Sequence, residues 1–166
     1  MIFPSKNREK NLTGSPIETI EMSHATPKSR CFAGSIIHHE ARMKPPSPPQ
    51  RATVLPILDR LRPLLGTFMG QTGYQALILR ALMLARDEVP WLRDVVIDAD
   101  GDLENFAELA AKHESAEVTN GSEALLAHLI ALLVAFIGEA LTLQLLHDLW
   151  PDLPTDDNFT QENSNE

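Results

Sequence analysis

The sequence predicts an all-α protein: a bundle of about four helices over residues 51–151 around one long apolar helix, with disordered tails at 1–50 and 152–166 and at most one short extended segment near 95–97. Three observations lead there. Between Ala124 and Leu146 the chain reads ALLAHLIALLVAFIGEALTLQLL, in which only His128, Gly138, Glu139, Thr142 and Gln144 are not apolar. Upstream, apolar residues recur at three and four positions through residues 56–89, the period of a helix with one buried face. No β-favouring run exceeds the triplet Val95-Val96-Ile97, too short to found a sheet.

Composition divides the chain. Residues 1–50 carry seven Lys/Arg against four Glu, a net of +3, and the remainder seven against nineteen acids, a net of −12. The basic N-terminal segment shows no sustained apolar period and closes on Lys44-Pro-Pro-Ser-Pro-Pro-Gln50, where proline removes amide donors and holds the backbone extended. It is expected to be disordered, and the abrupt change of character suggests that translation begins at Met43. It also lacks the apolar core of a signal peptide, which makes the cytoplasm the expected compartment. A single cysteine, Cys31, allows no disulfide within the chain.

The first helix opens near Pro56, a residue suited to a first turn, and carries Leu58, Leu61, Leu64, Leu65 and Phe68. Pro63 predicts a kink, since it cannot donate to Asp59 and its ring crowds that carbonyl. Gly70-Gln-Thr-Gly73 is the turn into a second helix reaching Val89, just before Pro90. Its inner stripe is Tyr74, Leu77, Ile78, Ala81, Leu82, Ala85 and Val89. Leu79 and Met83 lie near its polar side, more apolar surface than one buried face requires.

Asp98-Ala-Asp-Gly-Asp102 reads as a turn, with Asp100 or Asp102 capping a third helix through Leu103, Phe106, Ala107 and Ala110. Ser115 to Gly121 reads as a polar connection, with Asn120 and Glu123 placed to cap the long helix. Trp150-Pro151 ends that helix, and an acidic tail follows.

On the long helix, Leu126, Leu129, Leu133 and Phe136 form a large apolar seam, while His128, Glu139 and Thr142 fall on a smaller, mildly polar face. A membrane span would have to admit Glu139 at about 2.5–3.5 kcal/mol near a bilayer centre and has no flanking Lys or Arg to orient it. A bundle core is the favoured reading.

Motifs with chemistry are scarce. The alternating aspartates fail the calcium-loop register: counted from Asp98, the sixth position is Leu103 and the twelfth Leu109, where glycine and glutamate are needed. His113-Glu-Ser-Ala-Glu117 has zinc-protease spacing without the second histidine or a third ligand. His24, Cys31, His38, His39 and Glu40 are irregularly spaced metal-capable donors. His128 and Glu139 stand about 16 Å apart along a straight helix, too far to cooperate in acid–base work, though either could pair with Arg80 or Arg86 across a helical contact. No phosphate loop, nucleophile elbow or paired cysteine motif is present.

The expected function is therefore non-catalytic, with no cofactor and no metal: a helical interaction or assembly module whose partner is itself or another helical protein. Leu79, Met83, Leu126, Leu129, Leu133 and Phe136 are the candidate interface residues, and His128, Glu139 and Thr142 the candidate polar strip. The acidic body argues against a nucleic-acid surface, which needs cations to displace counterions from phosphates. Two other readings carry different chemistry: a membrane-associated protein with 124–146 inserted or interfacial, and a ligand-binding or enzymatic bundle using His128 and Glu139.

Overall fold

The computed structural model describes residues 25–43 and 54–153. Among these residues five α-helices follow in order: α1 Pro27–Met43, α2 Leu55–Glu88, α3 Phe106–Ala111, α4 Ser115–Ile137 and α5 Glu139–Leu149, with a 3-10 turn at Pro90–Asp94. The described residues form no named strand, and the expected extended segment is reduced to one antiparallel bridge between Ile97 and Leu103. The all-α fold read from the sequence is the fold observed.

α2 is two helices. A straight helix of its 34 residues would be about 51 Å long. Yet Val54, immediately before it, donates its N–H to Ser122 Oγ at 3.2 Å, while Glu88 at its end meets His128 at 2.9 Å. Those two α4 residues are only about 9 Å apart along their helix. The chain must double back, and it does so at Gly70, whose φ of 77° and ψ of 171° are the only non-helical values inside α2. Arg62 of the first arm accordingly sits over the ring of Tyr74 in the second, 5.7 Å from its centroid. The turn lies where the sequence placed it. At Pro63, where a kink was expected, the proline keeps helical dihedrals with its ring exposed, and its carbonyl accepts a bond from Thr67 Oγ1 at 2.8 Å.

The long helix read through Ala124–Leu146 is corrected at both ends. It begins nine residues earlier, because Glu114 and Glu117 form a reciprocal capping box. Gly121 does not end a connection but admits the indole of Trp91, since a Cβ there would lie 2.5 Å from Trp91 Cζ2. At the other end Gly138, with φ 90° and ψ 158°, breaks the helix into α4 and α5.

Gly70 and Gly138 share a backbone conformation open essentially to glycine alone, and no neighbouring atom lies within 4 Å of a Cβ built at either. Backbone strain is thus the whole cost of a side chain. Gly70→Ala and Gly138→Ala are each expected to lower unfolding free energy by about 1–3 kcal/mol, read as a reduced urea midpoint with an unchanged slope.

The largest departure is α1. A disordered tail was expected through residue 50, but residues 27–43 are a helix against the core. Thr26 and Ser29 cap it reciprocally: Ser29 N–H donates to Thr26 Oγ1 at 3.1 Å and Thr26 N–H to Ser29 Oγ at 2.8 Å. Pro27 occupies the first turn, where its missing N–H costs nothing. Ser29, Ala33, Ile36, Ile37 and Glu40 form its buried stripe. A chain starting at Met43 would lack this helix and uncover the side of α4 that it covers. The proline-rich segment 44–50, the residues before 25 and the tail from 154 lie outside the described residues.

α4 is the hub, packed on α1, α2 and α5. Its residues 124–131 are all buried, together with Leu133. It is the one described helix long and apolar enough to cross a membrane, and most of that apolar window is enclosed by the chain's own helices.

Candidate functional site

The polar groups of this bundle gather where α1 crosses the others. His128 is fully buried on α4, and both ring nitrogens are engaged. Nδ1 accepts the backbone N–H of Ala25 at 3.1 Å, so the neutral ring carries its proton on Nε2 and donates it to Glu88 Oε1 at 2.9 Å. The other carboxylate oxygen of Glu88 takes an ion pair from Arg30 of α1. Three helices are joined through one carboxylate and one imidazole.

Burial alone would raise the Glu88 pKa, but the hydrogen bonds from Arg30 and His128 and the charge of Arg30 outweigh it and hold the carboxyl below its ordinary value. Because the folded value is the lower one, the stabilisation from this carboxylate is present above the ordinary carboxylate range. It is lost as pH falls through the folded value.

A second polar node fastens the other end of α1. Glu40 is nearly buried and accepts Trp150 Nε1–H at 2.7 Å and Arg60 Nη1–H at 3.0 Å. The Arg60 guanidinium also lies 6.0 Å from the Trp150 ring centroid. α1, α2 and the end of α5 meet here.

The candidate polar strip is not one surface. His128 is a core residue; Thr142 is buried in the first turn of α5 and bonds the Gly138 carbonyl at 2.7 Å; Glu139 begins α5, half-buried, beyond the glycine corner. The face drawn for them assumed an unbroken helix. Nor does His128 meet Arg80 or Arg86. Its acidic partner is Glu88, while Arg86 holds the backbone carbonyls of Leu92 at 3.2 Å and Val95 at 2.6 Å. Arg30, Arg60 and Glu88 were not singled out from sequence, and Glu40 only as one of several metal-capable donors. The available signal was the spacing of Ser29, Ala33, Ile36, Ile37 and Glu40, which is that of a helix face.

The candidate interface residues also separate. Leu126, Leu129 and Leu133 are buried in the chain's own core and present no surface. Leu79, Met83 and Phe136 are exposed, at 44, 49 and 75 %. Leu79 and Met83 lie one turn apart on the second arm of α2, on an exposed stripe with Thr72, Ala76, Arg80 and Asp87.

The remaining motifs have local roles. Asp98 Oδ1 accepts the N–H groups of Asp100 and Asp102 at 2.8 and 2.9 Å, the self-bonded turn that an aspartate favours. The cap expected from Asp100 or Asp102 is not made: α3 starts later, after Asn105, whose side chain instead bonds the backbone of Val96 and Asp94. His113 stacks on Trp91 and bonds Glu117 at 3.0 Å. Among the described residues no three His, Cys, Asp or Glu side chains group as a metal site.

Comparison with protein-family models, curated proteins and solved structures gives no match.

Proposed function

We propose that this chain is a non-catalytic helical interaction module that self-associates through the second arm of α2. The observation that carries this reading is the exposed pair Leu79 and Met83, one turn apart on an otherwise well-packed helix. Self-association through α4, as its composition suggested, is replaced by this surface because α4 is occupied by the chain's own helices.

Charge favours a second copy as the occupant. Arg80 and Asp87 flank Met83 on the same side of the helix, seven residues apart. When two such arms pack antiparallel about a two-fold axis between Met83 and Leu84, Arg80 of each copy lies opposite Asp87 of the other, with Met83 at the centre and Leu79 at the edge of the contact, opposite Glu88. The stripe is short, which suits a transient, concentration-dependent dimer rather than an obligate one. The buried His128 has committed its proton and its lone pair to Glu88 and Ala25, so the ring supports the fold rather than acid–base chemistry.

Light scattering coupled to size exclusion on the full chain tests this reading. The expected result is a monomer–dimer equilibrium that Leu79→Glu with Met83→Glu shifts to monomer, with the unfolding midpoint changed by less than about 0.5 kcal/mol, as for exposed positions. A monomer at all concentrations would overturn it. Recovery of the chain only from membranes or detergent would favour insertion of α4 instead.

A further inference from the structure

The N-terminal end of α1 is held by polar contacts and its middle by apolar ones. Ala25 and Arg30 attach to the core through His128 and Glu88, Ala33, Ile36 and Ile37 fill the middle, and Glu40 secures the far end. The first attachment depends on a lone pair on a titratable ring. We propose that His128 makes the N-terminal half of α1 an acid-releasable clasp: a proton taken up at Nδ1 removes the acceptor for Ala25 N–H and frees this end of the helix from α4.

The chemistry is a single proton transfer from solvent. A proton binds the Nδ1 lone pair, the Ala25 N–H···Nδ1 bond is lost, and the resulting N–H faces another N–H across what was a 3.1 Å contact. The ring is fully buried, so its charge would also be desolvated as long as the clasp stayed shut. Opening relieves both costs.

Among the described residues, the ionised groups facing the ring divide. Glu88 from α2 favours the charged imidazole, whereas Arg30 from α1 disfavours it and already occupies the other oxygen of Glu88. On α5 the ionisable groups are Glu139, His147 and Asp148, all past the Gly138 corner, and on α4 itself the nearest is Glu123, against Gly34 of α1. An imidazolium bonded to Glu88 competes with Arg30 for that carboxylate, and Arg30 belongs to the element being released. The lost acceptor and the like charge act on the same end of α1.

The direction follows from linkage. The closed form excludes the proton and the open form takes it up at an ordinary imidazole value of about 6.5. The clasp is therefore fully favoured above that value and weakens about tenfold per pH unit below it. Glu88 does not supply this dependence, since its carboxyl is held on the acid side of its usual range.

Hydrogen exchange on the full chain between about pH 7.5 and about pH 5, the span in which histidine changes charge, tests the clasp. Protection of the amides from Ser29 to Ala33, corrected for intrinsic exchange, is expected to fall about tenfold per unit on the acid side, while Leu125 to Leu129 stay protected. His128→Asn keeps an acceptor oxygen near Ala25 and cannot titrate; its protection across the same window should be flat. The imidazole 15N shifts of the wild-type chain provide a readout that needs no variant, and ring protonation should coincide with the loss of protection. A protonated ring beneath a still-protected α1, or an unchanged profile in His128→Asn, would overturn the proposal.

Discussion

A chain beginning at Met43 is expected to lose a large part of its stability and to associate through the face it uncovers. Removing α1 takes away Ile36 and Ile37, both fully buried, and each is worth about 1.5–3 kcal/mol by burial alone. Their combined loss of about 3–6 kcal/mol is to be set against the roughly 5–15 kcal/mol that holds a domain of this size together. The cost extends beyond the deleted residues. Glu88 and His128 lose Arg30 and Ala25, Trp150 Nε1–H loses its acceptor, and a row of α4 side chains faces water. Urea unfolding of the full and shortened chains measures the difference. A greatly lowered midpoint, or no cooperative transition at all, is expected; an unchanged midpoint would mean that α1 contributes nothing to the fold.

Trp150→Ala is expected to cost about 3–5 kcal/mol, the range for deleting a large buried aromatic. Trp150 is 1 % exposed at the end of α5, and its indole N–H is bonded to a carboxylate that is itself nearly buried. Trp150→Phe separates the two contributions. It keeps much of the ring's burial but strands Glu40 with Arg60 as its remaining partner, so an intermediate loss of about 1–3 kcal/mol is expected from the missing hydrogen bond. Equal effects of Phe and Ala would assign the whole role to the bond; no effect of Phe would assign it to packing. Thermal unfolding followed by far-ultraviolet circular dichroism gives the comparison.

How far the sequence could be read depended on whether a helix announced itself through its apolar residues. The two arms of α2 did so: Ile57, Leu58, Leu61 and Leu65, then Tyr74, Leu77, Ile78, Ala81 and Leu82, recur at helical spacing on either side of Gly70, a residue able to reverse the chain cheaply. The hub was legible for the same reason. Its ends were not, because Gly138 was absorbed into a run of apolar residues that predicts a helix whatever glycine does, and because the first turns of α4 are polar. α1 was hidden by its composition. Two of its five buried residues, Ser29 and Glu40, are polar, and their partners Thr26 and Trp150 are supplied by a cap and by a helix more than a hundred residues away.

The same limit governed the polar groups. His128 stood out as a lone polar residue in an apolar helix, and a hydrogen-bond partner for it was the reasonable expectation. That the partner is Glu88, braced by Arg30, depends on the hairpin at Gly70 carrying the end of α2 back to α4 and on α1 crossing both. Neither long-range contact leaves a trace in local spacing. Leu79 and Met83 were legible because exposure on a helix follows from its period, and both lie where the wheel put them.

α1 belongs to the folded domain and covers the hub helix. Hydrogen exchange on the full chain at neutral pH tests it most directly, by comparing the amides of Ile36 and Ile37 with those of Leu125 and Leu129. Slow exchange at all four, from the same cooperative unit, is the result expected. Exchange of Ile36 and Ile37 at the rate of an unstructured chain, while Leu125 and Leu129 remain protected, would contradict it.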